Sequence, residues 1–190
     1  MPPTTDDLLT ARFAAWDGST VEDVVVRADG DGLTAEGRVV RAPDGAHHVH
    51  WVLRLDEAWR VRQLLLFRDL DEPDLWLGHD GSGGWGEING AHRPELDGCT
   101  VVDLACTPLT TTLAVRHLAF AGLEVGASGD VEVVAVDPAT LGVVATVQRW
   151  TRVAERRWRL GDGVGAGGRE LVVDDDGVAV DDIGRFRRLA

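Results

Sequence analysis

The chain contains no lysine, no tyrosine, one methionine and two cysteines among its 190 residues. Its 19 basic residues are therefore all arginine, against 32 acidic residues, and the net charge is −13. A surface of that sign repels phosphate groups, so the composition argues against general binding to nucleic acid or to anionic membranes. The cysteines, Cys99 and Cys106, would point to opposite faces of a shared strand and could not pair there, so we expect free thiols.

Targeting signals are also absent from the sequence. The first ten residues, MPPTTDDLLT, lack the basic and apolar regions of a signal peptide, and no apolar run approaches the roughly 20 residues of a membrane helix. We therefore expect a cytoplasmic protein with no membrane span. The length and a hydrophobic content of 44% fit one domain over residues 1–190, with no linker visible inside it.

Turn signals and alternating apolar residues dominate the chain. Asp-Gly and Asn-Gly pairs, such as Asn89-Gly90 and Asp97-Gly98, recur at short intervals and favour tight hairpins. Between them, runs such as Val49, Trp51, Leu53 and Leu55 place every second residue on one face. The pattern predicts an all-β protein with a large antiparallel sheet, either a sandwich or an open barrel, with few short helices.

Individual elements follow from the same pattern. We expect a hairpin that joins residues 75–77 to residues 85–88, and strands at 100–106, 116–120, 131–137 and 143–153. The glycine-rich segments 78–86 and 161–168 are read as a hairpin tip and a loop, because neither ends like a phosphate-binding loop. Near the N-terminus, Thr5-Asp6-Asp7 predicts a short helix to Ala15; the alternative is a strand from Arg12 to Trp16.

Motifs for catalysis and for metal binding are weak. His48 and His50 would share one strand face, a spacing that zinc sites use, but no third ligand is identifiable and the pair is read as part of a polar face. The sequence has no serine nucleophile elbow, no activated-cysteine motif and no His-Glu-x-x-His segment. We therefore predict no catalytic residue, no metal and no cofactor.

Polar residues interrupt the apolar segment that runs from Glu95 to Leu118. Asp103 lies within an apolar strand, and a buried carboxylate requires a partner, for which Arg116 is the nearest candidate in sequence. Four threonines surround Pro108: Thr107, Thr110, Thr111 and Thr112. One interpretation is a buried Asp–Arg–Thr network that holds an irregular connection. The other is a polar cluster that orients a ligand in an apolar cleft. The residues alone favour the first.

A second polar group lies on the predicted strand at 143–153. Gln148, Trp150 and Arg152 share one face of it, and Arg149 lies on the other. An aromatic ring beside polar side chains is typical of sugar-binding sites, in which the ring stacks on the sugar. The alternative is an outward strand face on which long polar chains cover an aromatic residue.

Several segments occur together in a familiar order. They are Trp59-Arg60-Val61-Arg62, Trp85-Gly86-Glu87-Ile88-Asn89-Gly90, Leu96-Asp97-Gly98-Cys99, Thr107-Pro108-Leu109-Thr110-Thr111-Thr112-Leu113 and Gln148-Arg149-Trp150. With them the chain resembles the bacterial "putative glycolipid-binding" family over nearly its whole length. The resemblance implies an antiparallel sheet curled into an open half-barrel around an apolar groove. It also implies that the groove binds a glycolipid-like or other amphiphilic small molecule.

From the residues and the resemblance together we expect ligand contacts from Trp85, Glu87, Asp103, Thr107, Thr111, Arg116, Gln148, Arg149 and Trp150. Two alternatives to a ligand-binding protein stay open. One is an enzyme acting on a sugar or lipid intermediate, with Asp103 or Glu87 as the acid or base. The other is a cytoplasmic interaction module that binds a partner protein or a second copy of itself as a homodimer.

Overall fold

The computed structural model describes residues 7–42, 47–68, 72–161 and 168–190. Within these ranges, fourteen strands and one α-helix are present. The strands are β1 (Asp7–Ala15), β2 (Thr20–Asp29), β3 (Gly32–Arg41), β4 (His47–Asp56), β5 (Val61–Phe67), β6 (Leu75–His79), β7 (Trp85–Gly86), β8 (Val101–Leu104), β9 (Ser128–Asp137), β10 (Gly142–Ala154), β11 (Arg157–Leu160), β12 (Arg169–Val173), β13 (Ala179–Asp182) and β14 (Phe186–Arg188). The α-helix is α1 (Pro108–Phe120), and a short 3-10 helix covers Pro94–Leu96.

All of these strands belong to a single sheet. Its order is β7-β6-β5-β4-β3-β2-β1-β14-β13-β12-β11-β10-β9-β8, and every neighbouring pair is antiparallel except β8 with β9. The pairing of β1 with β14 joins the two halves. The segment before β8 connects the two edge strands, β7 and β8. Trp85 Nε1 donates to the Cys99 carbonyl at 3.0 Å, and Gly98 N–H donates to the Gly83 carbonyl at 3.0 Å. The sheet is curled but not closed into a barrel, which confirms the predicted fold class.

Helix α1 occupies the concave side of this sheet. Its residues from Pro108 to Val115 are all buried, and so is Leu118. Thr110 hydrogen-bonds to Leu104 of β8, and the Thr112 hydroxyl accepts from Ala179 N–H of β13. From Pro108 to Val115 the helix is buried on every side, so this part of it fills the interior of the curled sheet.

The predicted strand at residues 116–120 is therefore wrong, because these residues form the end of α1. A helix buried all round shows no 3.6-residue apolar period, and its run of threonines is β-branched, which favours a strand assignment. The start of the helix does carry a signal. Thr107 caps it by accepting from Leu109 N–H at 3.2 Å, and Pro108 follows in the first turn.

The N-terminal region also differs from the first expectation. The described part of the predicted helix at residues 5–15 is strand β1, so the alternative of a strand from Arg12 onward is confirmed. β1 pairs with β2 on one side and β14 on the other, and this pairing in a sheet overrides the local helix-start signal. The β6–β7 hairpin and strands β8, β9 and β10 are confirmed. The predicted loop at 161–168 lies largely outside the described residues.

The core of the β1–β7 half is built around Trp51. As predicted, Val49, Trp51, Leu53 and Leu55 share one face, and all four are buried. Gly37 of β3 pairs with Trp51, and a Cβ at Gly37 would lie 2.2 Å from the indole ring. The ring therefore lies across β3, where its Nε1 reaches Glu22 Oε1 of β2 at 2.7 Å. No helix in the described residues is long and apolar enough to cross a membrane.

We predict that Gly37→Ala lowers the free energy of unfolding by about 1–3 kcal/mol, because its methyl group overlaps the Trp51 ring and forces the indole out of its position. Chemical denaturation measures this effect. Gly142→Ala is the matched control in a strand, since the nearest obstacle there is the Thr140 hydroxyl at 3.1 Å, which can rotate away. Equal losses in the two variants would contradict the role assigned to Gly37.

Candidate functional site

A hydrogen-bonded polar network connects β8 to β10 inside the curled sheet. Asp103 Oδ2 accepts from Gln148 Nε2 at 2.7 Å, and Gln148 Oε1 accepts from Trp150 Nε1 at 3.0 Å. Trp150 is fully buried, whereas Asp103 and Gln148 are partly exposed. The structure thus brings together three of the predicted site residues, Asp103 on β8 with Gln148 and Trp150 on β10.

Sequence reasoning missed two members of this network, Arg169 and Asp182. Arg169 Nε lies 3.0 Å from Asp182 Oδ1, and Arg169 Nη2 lies 3.5 Å from the Thr111 hydroxyl. The Arg169 guanidinium also lies 5.9 Å from the centre of the Trp150 ring. Thr111 is thereby connected to the network, and the Trp150 ring faces a cation within the protein.

Asp182 is 0% exposed, and neither carboxylate oxygen makes a well-aligned hydrogen bond in the described residues. Burial raises the pKa of Asp182, while the nearby Arg169 and Arg185 guanidinium groups oppose that rise. The sequence Val180-Asp181-Asp182-Ile183 looks like an exposed turn. Only the pairing of Asp182 with the buried Leu171 shows that its side chain faces inward.

The expected Asp103–Arg116 pair is wrong. Arg116 lies about 13 Å further along the helix axis than the Thr107 cap, at nine residues of 1.5 Å rise each. Its guanidinium stacks 4.2 Å from the Trp59 ring centre, and it donates to the Asp176 carbonyl oxygen. Burial lowers the pKa of Arg116. The helix thus separates two residues that a short irregular connection would have kept together.

The remaining four predicted residues each lie in a different environment. Thr107 is buried as the α1 cap, and Arg149 forms an exposed ion pair with Asp130 at 3.0 Å on the opposite face of β10 from Gln148. Trp85 is buried against the segment before β8. Glu87 Oε1 lies 2.8 Å from Arg93 Nη1.

His50 contacts a carboxylate, and the two cysteines form no disulfide. His50 Nε2 lies 3.0 Å from Glu36 Oε1, which places it in the polar face expected from the sequence. No group of three or more metal-binding side chains occurs in the part of the chain that the structure describes. Both cysteines are free thiols, and burial raises the pKa of each one.

A groove of about 460 Å³ opens where α1 ends, at the mouth of the curled sheet. We call it the mouth groove. Its apolar wall consists of Ala58, Trp59, Val115, Ala119, Phe120, Trp158 and Val173. Its polar rim consists of Glu57, Arg116, Arg152, Glu155, Arg156, Asp174, Asp175 and Asp176. Phe120 is 81% exposed, although it is a large apolar side chain beside two tryptophans.

Some charged side chains on the rim of the mouth groove have a partner within the protein, and others do not. Arg156 pairs with Asp175, and Arg152 donates to the carbonyl oxygens of Leu123 and Glu155. By contrast, the carboxylates of Glu57 and Glu155 have no hydrogen-bond or ion-pair partner among the described residues. The arginines are thus engaged by the protein itself, while two carboxylates are free to accept hydrogen bonds.

A family model described as "Putative glycolipid-binding" matches residues 10–188. The chain belongs to this family. The match includes both the polar network and the mouth groove, and it confirms the resemblance found in the sequence.

Similarity to a solved structure supports the fold. The chain is similar to the crystal structure of a DUF1089 family protein from Pseudomonas aeruginosa, with a TM-score of 0.71, 24% sequence identity and coverage of 100% of both chains. At that identity the likeness concerns the fold alone. No curated protein matches the chain.

We predict that Gln148→Met destabilises this family member by about 1–3 kcal/mol, because the variant leaves Asp103 Oδ2 and Trp150 Nε1 without their partner. Arg149→Met is the control, since its side chain is exposed on the opposite face. Thermal unfolding distinguishes the two variants. An unchanged melting temperature in Gln148→Met would mean that the network does not stabilise the fold.

Burial of Glu22 makes the stability of the protein depend on pH. Burial raises its pKa from the ordinary 4.5 to about 8, against the opposing hydrogen bonds from Thr107 and Trp51. The folded state then holds a proton that the unfolded state releases above pH 4.5. Stability from this group is complete below pH 4.5 and is lost as the pH rises towards 8, by up to about 1.4 kcal/mol per pH unit.

Glu22→Gln removes that loss, because the neutral amide keeps an oxygen for Trp51 and does not ionise. We expect the variant to gain stability relative to the wild type as the pH rises from 5 to 8, measured by urea denaturation at each pH. Two parallel pH profiles would contradict the raised pKa.

Proposed function

We propose that this protein binds a glycolipid-like amphiphile in the mouth groove. One observation carries the proposal: Phe120 is 81% exposed in a concave site beside Trp59 and Trp158, with a polar rim along the same groove. Concave apolar surface that is left open to water marks a binding site. The family description supports a binding role, and a volume of about 460 Å³ lies in the usual range for small-molecule sites.

The two sides of the groove suit the two parts of such a ligand. Acyl methylene groups would pack on Phe120, Ala119 and Val115, since burial of each CH₂ contributes about 0.8 kcal/mol. Sugar hydroxyl groups would donate to the free carboxylates of Glu57 and Glu155, and hydrogen bonds to ionised acceptors are among the stronger ones. Arg116, one of the predicted site residues, lies between these sides with its guanidinium held against Trp59.

Charge favours a sugar over a phosphate at this position. The unpaired side chains on the rim are acidic, and the whole chain carries −13. An anionic phospholipid headgroup would therefore meet repulsion, whereas an uncharged glycosyl headgroup would not. The enzyme alternative gains no support from the geometry, because Asp103 is held by Gln148 and Glu87 by Arg93.

We expect Phe120→Ser to weaken binding of a neutral glycosyl diacylglycerol by about tenfold or more, because it removes the largest exposed apolar contact of the groove. Isothermal titration with detergent-dispersed lipid measures the affinity. The control is Ile88→Ser, which removes a side chain of similar exposure, 71%, outside the groove. Phosphatidylglycerol is the anionic comparison ligand.

Equal affinity in wild type and Phe120→Ser would contradict binding in the mouth groove. Light scattering on the same samples tests the interaction-module alternative. A wild-type dimer that Phe120→Ser converts to a monomer, with no lipid bound by either, would instead make the groove a contact between two copies of the chain.

A further inference from the structure

A second concave site lies on the outer face of the sheet, at strands β4 to β7. The register aligns Arg54, Gln63, Gly78 and Gly86 in one row across these four strands. The neighbouring row, Leu53, Leu64 and Leu77, is buried on the inner face, so the first row faces outward. Two of the four positions in that row are adjacent glycines, and the missing side chains there make a depression in the sheet surface.

Trp76 forms one wall of this outer depression. It is two residues from Gly78 on the same face, and a Cβ at Gly78 would lie 2.6 Å from its ring. The ring thus lies over the glycine, and only a residue without a side chain permits that position. The resulting pocket has a volume of about 480 Å³, comparable with that of the mouth groove.

The polar groups of the depression include free hydrogen-bond donors. Arg54 and Gln63 have no side-chain partner among the described residues. His79 Nδ1 accepts from Gly81 N–H at 3.2 Å, so the neutral ring carries its proton on Nε2. Burial lowers the pKa of His79, which keeps the ring neutral at pH 7.

The charges of the depression balance. Arg54 and Arg62 line it together with Asp80 and Glu87, two cationic and two anionic groups. Asp80 Oδ1 accepts from the backbone of Ser82 and Gly84, and Glu87 is paired with Arg93. Arg62 is in turn paired with Asp56, so Arg54 carries the guanidinium of the lining that has no partner among the described residues. An anion attracted to Arg54 would also meet the Asp80 and Glu87 carboxylates of the same lining. An uncharged ring that bears hydroxyl groups, each both donor and acceptor, fits it better.

We infer that the outer depression binds the ring of an uncharged sugar, with Trp76 against the apolar face of the ring and Gln63 and Arg54 on its hydroxyl groups. The site goes beyond the proposed function, because it lies on the opposite side of the sheet from α1 and requires no acyl chain. The predicted residues Trp85 and Glu87 lie beside this site, with Trp85 buried and Glu87 paired with Arg93. Both line this pocket, and neither lines the mouth groove.

The test titrates the full chain with methyl glucoside and methyl galactoside and measures binding by ligand-observed saturation-transfer NMR. We expect saturable binding of at least one glycoside, weakened about tenfold or more by Trp76→Ala and also weakened by Gln63→Ala. Trp16→Ala is the matched control, since Trp16 is 48% exposed and lies outside the depression. Circular dichroism verifies that each variant is folded.

Three results would overturn the inference. They are the absence of saturable binding by either glycoside, equal weakening by Trp16→Ala and Trp76→Ala, and tighter binding of glucose 6-phosphate than of methyl glucoside. Phe120→Ser separates the two proposals. If Phe120→Ser abolishes glycoside binding, the sugar binds in the mouth groove and the inference is wrong. If the protein binds glycosides but no lipid, the proposed function fails and the inference about the outer depression stands.

Discussion

The burial of α1 inside the curled sheet is the constraint on which the remaining structure depends. A sheet of fourteen strands that curls without closing has a concave face too large for its own side chains to cover. The helix covers it, and the tryptophans Trp51, Trp85, Trp150 and Trp158 fill the remaining space. Helix and sheet therefore stabilise each other, since each buries apolar surface that would be exposed to water without the other.

This filling determines where a ligand can bind. The family resemblance implies an apolar groove within a half-barrel, but α1 occupies the middle of that space. Among the described residues, the mouth groove at the helix end and the outer depression across β4 to β7 stay open. The two sites differ in their free polar groups: carboxylates at the mouth groove, and donors from Arg54 and Gln63 at the depression. Both proposed binding sites therefore lie at surfaces of the sheet and not at its centre.

The polar side chains inside the protein follow from the same constraint. Buried hydroxyl groups need partners inside the protein, and those of Thr107, Thr110 and Thr112 accept from the backbone N–H groups of Leu109, Leu104 and Ala179. The Asp103–Gln148–Trp150 chain links β8 to β10, and the Arg169–Asp182 pair links β12 to β13. The hydrogen bonds of these three threonines are made to backbone groups, while Thr111 belongs to the network.

The sequence by itself determined the sheet, because the alternation of residues such as Val49, Trp51, Leu53 and Leu55 is a local property that each strand carries alone. It also indicated that Asp103, Gln148 and Trp150 are unusual, since polar groups in apolar runs require partners. It could not choose those partners. Asp103 meets Gln148 rather than Arg116 only because α1 is a helix, and its helical period is hidden by burial on every side. The row of Arg54, Gln63, Gly78 and Gly86 exists only through strand register, which depends on the pairing of residues far apart in the chain. Which residues meet in each site therefore depends on the tertiary structure, because long-range packing brings together side chains from distant parts of the sequence.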